Sequence, residues 1–206
     1  MANGFQIPSL QKYVATILAA LAFSMVQSED VARRVGVILE GTFETHEVNQ
    51  ALEGAKLTQI VPFYEWDYGV RSFSEEMWNE RGFEWESFFS IATKVADTLV
   101  EKIEPTVYRD RRGVIDYITI ADEDPFLTSI VFSSAFHEKF RDALGDRIFV
   151  IPIDRHRLHL FPATGGKLEF NGPKIVEEFR QTELPVSLEV LLVDKDGVQV
   201  VGELER

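Results

Sequence analysis

The chain has 206 residues, with 34 acidic and 21 basic side chains and a formal net charge of −13. Hydrophobic residues make up 45% and charged residues 27%, the balance of a folded globular chain and not of a disordered one. There is no cysteine, which excludes disulfides, thiol nucleophiles, iron–sulfur clusters and cysteine-ligated zinc. The acidic excess argues against nucleic-acid partners, because phosphates are repelled unless one face is locally basic.

Between Tyr13 and Val26 only Thr16 and Ser24 are polar. The run falls short of the roughly 20 residues that a helix needs to cross a bilayer, so no membrane span is expected. It reads as a helix opened by Pro8 and Ser9, apolar nearly all round and therefore buried nearly all round. A second copy could supply that burial, which predicts a homo-oligomer with Ile17, Leu18 and Leu21 inside. A signal segment over Tyr13–Ala22, and with it export, is the alternative. Cleavage at Ala20-Leu21-Ala22 would leave a short apolar region, so retention in the cytoplasm is the expectation.

Ser28-Glu29-Asp30 predicts the cap of a second helix, with Val31, Val35, Ile38 and Leu39 on one face and Gly41 closing it. Thr45 predicts a third, short helix ending at Gly54. Residues 1–55 thus read as a helical segment and residues 56–206 as an α+β domain. Leu57–Tyr64 reads as a strand, with Pro62 pointing to an edge or a bulge. Residues 74–80 read as a short helix. Glu84–Ile103 reads as a long amphipathic helix, with Phe88, Ile91, Val95 and Leu99 on its apolar face and Pro105 stopping it. Thr106–Arg109 and Val114–Ala121 predict a hairpin around Gly113. Asp124-Pro125 predicts a helix start, the helix running to Leu144 with a kink at Ser133-Ser134. Two strands follow, Arg147–Ile153 and His156–Phe161, then a short helix over Pro173–Thr182. A last hairpin is predicted from Val186–Val193 and Val198–Leu204. Hairpins recur, so the fold class is α+β: a mainly antiparallel sheet with helices packed on it.

Residues 92–161 carry a pattern: a helix with Ala92 and Leu99, a strand pair, Asp124 opening a helix, then a strand into Ile151-Pro152-Ile153-Asp154-Arg155-His156-Arg157-Leu158. This resembles the YtpQ-like family of uncharacterised bacterial proteins, and Leu57–Phe63 extends the likeness upstream. The long helix lacks the asparagine expected beside Leu99. The resemblance implies a bacterial α+β protein and carries over no catalytic residue.

Gly165-Gly166-Lys167 lacks the first glycine and the following hydroxyl of a Walker loop, and reads as a turn. Dinucleotide, zinc-protease and α/β-hydrolase signatures are missing. Of the four histidines, His46, His137, His156 and His159, only the last two are close in sequence. A spacing of three puts them on opposite faces of one strand, so they read as structural or surface residues and no metal is expected. Asp116, Asp122 and Asp124 could hold Mg²⁺ for a phosphoesterase-like reaction, although Asp124 also suits a helix cap. Arg109, Arg111 and Arg112 sit on one hairpin tip, and Arg155 and Arg157 on another turn. If the tips adjoin, they form an anion-binding patch.

The most unusual stretch is Phe63–Phe89, which holds ten of the chain's 24 aromatic residues, all three tryptophans among them. Acids are interleaved with them. Aromatic rings beside carboxylates suit a cationic ligand or a basic partner. Trp66, Trp78, Trp85 and Tyr68 are therefore the predicted partner-binding residues, with at least one tryptophan well exposed. The function expected is that of a non-enzymatic bacterial interaction or scaffold protein that uses no cofactor. The alternatives are the phosphoesterase and a small-ligand binder with a pocket lined by the three tryptophans.

Overall fold

The computed structural model describes residues 34–205. The expected apolar helix at Tyr13–Val26, its oligomer contacts and its possible signal role lie outside the described residues. Strand β1, Arg34–Gly41, comes first. This corrects the expectation of a helix here. Val35, Ile38 and Leu39 fit a helical face, but Val35, Val37 and Leu39 also alternate, and Gly36 is a poor helix former. The decision comes from the partner strand. β1 pairs antiparallel with β3, Thr58–Trp66, over eight residues, from Arg34↔Glu65 to Gly41↔Thr58. The expected helix over Thr45–Gly54 is likewise not formed, and Gln50–Ala51 makes the two-residue strand β2 instead. Because β1 pairs with β3, one sheet spans the boundary expected near residue 55.

β3 is the centre of this first sheet, with β1 on one side and β2 and β4, Gly69–Ser72, on the other. Pro62 is therefore not on an edge strand. It sits between the stretch paired with β2, at Gln59 and Ile60, and the stretch paired with β4, which starts at Phe63. A residue with no N–H is tolerated there because on that side it bonds through its carbonyl, which accepts the Phe73 N–H at 3.2 Å.

The second sheet has six antiparallel strands in the order β10-β9-β7-β8-β6-β5. They are β5 Thr106–Arg109, β6 Ile115–Ala121, β7 Ile148–Asp154, β8 Arg157–Pro162, β9 Glu189–Asp194 and β10 Gly197–Glu203. The fold is thus α+β with two antiparallel sheets and interleaved helices, where a single main sheet was expected.

The helices are α1 Glu75–Glu80, α2 Trp85–Lys102, α3 Ser134–Leu144 and α4 Lys167–Gln181. α2 buries Phe88, Ala92, Ala96, Leu99 and Val100, while Ile91 is exposed, so its inner face is rotated from the one expected. The predicted helix from Asp124 to Leu144 is two elements. Leu127–Phe132 is a 3₁₀ helix, the chain breaks at Ser133, and the Ser133 hydroxyl then accepts the Ala135 N–H to cap α3. α4 begins six residues before Pro173, which lies inside it and not at its start. Its residues Leu168, Ile175 and Val176 pack on Tyr117, Ile151 and Phe161 of the second sheet and on Leu188 just before β9.

Polar contacts link the two sheets and the segments beside them. The Glu189 carboxylate accepts the backbone amides of Lys56 and Leu57, and the Thr58 and Ser187 hydroxyls lie 2.7 Å apart. Arg155 Nε lies 2.6 Å from Glu40 Oε1, which is nearly inaccessible to solvent. No described helix is long and apolar enough to cross a membrane.

Candidate functional site

The aromatic segment folds around Phe73. Its ring meets those of Tyr64, Trp78, Phe83 and Phe88 at centroid distances of 5.1–5.8 Å. The local sequence builds this hub. Ser74 caps α1 by accepting the Met77 N–H, which sets the turn that carries Trp78. Gly82, at φ 62°, reverses the chain in a left-handed conformation that other residues rarely adopt, and so delivers Phe83 and Trp85 back onto Trp78.

The predicted partner-binding residues part company here. Trp78 is 7% exposed and belongs to the core. Trp66 is half-buried beneath the Arg71 guanidinium, whose Cζ lies 3.6 Å from the ring centroid. Tyr68 is 82% exposed and packs edge-on to Trp66. Trp85 is half-buried, rests on Trp78 and faces a cleft. Contrary to the expectation, no tryptophan is well exposed, and the three do not line one pocket. Trp85 lines the cleft, Trp78 backs it, and Trp66 is outside it.

That cleft has a volume of about 1100 Å³. Ile60, Trp85, Phe89, Val131, Phe132 and Val193 supply its apolar surface. Phe89 from α2 and Phe132 from the 3₁₀ helix meet edge to face at 5.1 Å. Around them stand Glu53, Glu86, Glu138, Asp194 and Asp196, against Arg141 and Lys195. Lys195 is already held by Asp196 at 2.6 Å, so the lining is net acidic. His137 also lines the cleft, and its Nε2 donates to the Asp146 carbonyl at 2.9 Å. Phe132, His137 and Val193 gave no sequence signal for this site. They come from three elements that only tertiary packing brings together.

The two arginine turns do not adjoin. β6 runs antiparallel to β8, with Ala121 opposite Arg157, so the hairpin tip at residues 110–114 lies at the far end of β6. The strand separates them by about 20 Å at roughly 3.4 Å per residue. Arg155 is engaged by Glu40 and Arg157 lies 3.9 Å from Glu178, while Arg109 donates to the Gly113 carbonyl and Arg112 pairs with Asp110. Arg111 is exposed at the tip.

The same strand separates the carboxylates proposed for Mg²⁺. Asp116 is near the hairpin end, 2.8 Å from Lys167, whose pKa it raises through that hydrogen bond. Asp122 and Asp124 are at the other end. Asp122 accepts the Asp124 N–H, and Asp124 accepts the Phe126 N–H and pairs with Arg34 at 2.7 Å. Asp124 thus caps a turn, and the trio cannot share one ion. Among the described residues no cluster of three metal-ligating side chains occurs.

The histidines separate too. His156 is in the β7–β8 turn, with Nδ1 3.1 Å from the Asp122 carbonyl oxygen. His159, on β8, is buried and bonded through both nitrogens: Nδ1 to the Thr119 hydroxyl and Nε2 to a Glu178 carboxylate oxygen, each at 2.8 Å. Burial lowers the His159 pKa. The neighbouring Glu178 opposes this, and Arg157 and Lys174 add to it. Glu178 itself stays below the usual carboxylate range: burial pushes it up, but the His159 hydrogen bond and Lys174 outweigh that. Lys174 donates to the Tyr117 hydroxyl at 2.8 Å, which raises its pKa.

Compared with protein-family models, with curated proteins and with solved structures, the chain matches none.

Proposed function

We propose that this chain is a bacterial, cytoplasmic interaction protein whose cleft at Trp85, Phe89 and Phe132 receives an apolar, positively charged segment of a partner protein. The observation that carries this reading is the pairing of an aromatic floor with a net acidic lining in one concave site of about 1100 Å³. Partly exposed aromatic rings that are held rigidly from behind, as Trp78 holds Trp85, suit an anchor pocket. The carboxylates around it favour approach of a basic segment and disfavour an acidic one. Self-association through Tyr13–Val26 is part of the same proposal, and light scattering on the full chain tests it, with a monomer as the opposing result.

The cleft reading is tested with two synthetic amphipathic helical peptides, one built of leucine and lysine and the other of leucine and glutamate. Binding is read from tryptophan fluorescence of the full chain. The lysine peptide should bind, more weakly as salt rises, and Trp85→Ala and Glu86→Lys should each reduce its affinity at least about five-fold. Equal binding of both peptides, or binding unchanged in the two variants, would overturn the assignment.

A further inference from the structure

The geometry points to a second, independent site: Thr119 is a nucleophile activated by His159, which Glu178 positions, and the site cleaves small carboxylic esters. The three side chains come from β6, β8 and α4, and no short sequence motif links them. Their order is nonetheless that of a hydroxyl–imidazole–carboxylate relay. Glu178 is held ionised and can only accept, so His159 Nε2 carries the imidazole hydrogen. Nδ1 is then a lone-pair acceptor, and the 2.8 Å contact to Thr119 is a hydroxyl donating into a base. Burial favours the neutral ring, which is the form that can take a proton.

Of the two reacting side chains, Thr119 is the more accessible, since His159 is buried. Thr119 is half-buried, and its cross-strand neighbour Thr106 lies on the exposed edge strand β5. Lys174 and Arg157 flank Glu178 at 3.5 and 3.9 Å. Two cations around one carboxylate leave net positive charge, so esters that also carry an anionic group are favoured.

In the step, Thr119 Oγ1 bonds to the ester carbonyl carbon while its proton passes to His159 Nδ1. The carbon–oxygen bond to the leaving alcohol then breaks, and that oxygen takes the proton from Nδ1. Water repeats the sequence on the acyl-threonine. It gives a proton to Nδ1, bonds to the carbonyl carbon, and releases the carboxylic acid as Thr119 Oγ1 recovers its proton. Thr119 and His159 are the catalytic residues, and Glu178 is a positioning residue.

The test uses 4-nitrophenyl acetate on the full chain, with nitrophenolate release followed in time and the acetylated peptide located by mass spectrometry. An acetyl group on Thr119 is expected, lost in Thr119→Val and retained in Thr119→Ser. His159→Gln should slow acetylation at least about a hundred-fold. Glu178→Gln should slow it and also move the pH midpoint of the rate downward, which a merely structural role would not do. Circular dichroism confirms that each variant is folded. If the folded wild type is acetylated only on lysines, or if His159→Gln leaves Thr119 acetylation unchanged, the proposal is wrong. Neither result bears on the peptide cleft.

Discussion

Glu189 reaches from β9 of the second sheet to Lys56, beside the first sheet, and one of its carboxylate oxygens accepts the Lys56 and Leu57 amides at 2.7 and 3.1 Å. The Glu189 side chain is 2% exposed, whereas Leu57 is half-buried and Lys56 exposed. Removing the acceptor leaves two backbone amides without their partner, at about 1–3 kcal/mol for each that water does not reach. Glu189→Ala should therefore destabilise by about 3 kcal/mol. Glu189→Gln keeps an oxygen acceptor and should cost clearly less. Urea denaturation of the two variants checks the ranking, and equal losses would mean that the carboxylate is not the link between the sheets.

The aromatic segment should divide by burial. Trp78→Ala removes a ring packed against Phe73, Phe83, Trp85 and Phe88, and should cost about 3–5 kcal/mol. Tyr68→Ala changes an exposed side chain and should stay within about 0.5 kcal/mol. Acrylamide quenching of single-tryptophan variants should reach Trp85 and Trp66 but not Trp78. A Trp78 as accessible as Trp85 would contradict the packing described.

Gly36 leaves no room for a side chain. A methyl group there would lie 2.6 Å from Cδ1 of Phe126, and that ring is fully buried. Gly36→Ala should thus destabilise by about 1–3 kcal/mol through overpacking, even though alanine is otherwise harmless in a strand. Phe126→Leu in the same chain should recover part of that loss. If the double variant is no more stable than the sum of the singles, the clash is not the cause.

Stability should fall on mild acidification. Burial holds the pKa of His46 and of His159 below the ordinary 6.5. The unfolded chain then binds protons first, so the stabilising contribution is complete above about 6.5 and is lost as pH falls through the lowered folded values. The melting temperature should decline as pH drops from 7 toward 5, and His159→Gln should flatten that decline. Glu40 works in the opposite sense. Burial raises its folded pKa despite Arg155, so its contribution is present below the usual 4.5 and is lost as pH rises through the folded value. Glu40→Gln should remove that opposing slope.

The features that the sequence by itself determined are those decided within a few residues. Ser74 capping α1, the start of α2 near Trp85, the β5–β6 hairpin at Gly113 and the β9–β10 turn at Asp194–Gly197 each depend on a local dihedral or a hydrogen bond to a near neighbour. Tertiary structure decided the rest, because the deciding partner is distant. Arg34–Gly41 fits a helix or a strand by spacing, and pairing with Thr58–Glu65 settles it. Asp116 and Asp124 look close along the chain, yet β6 is extended and holds them apart. Trp66, Trp78 and Trp85 share a composition but not a surface, since α1 folds Trp78 inward beneath Trp85. His159, Thr119 and Glu178 are 40 and 19 residues apart, and they meet because β6 lies beside β8 and α4 packs over both. A strand fixes which residues alternate, but only the neighbouring strand and the covering helix fix which polar groups face one another.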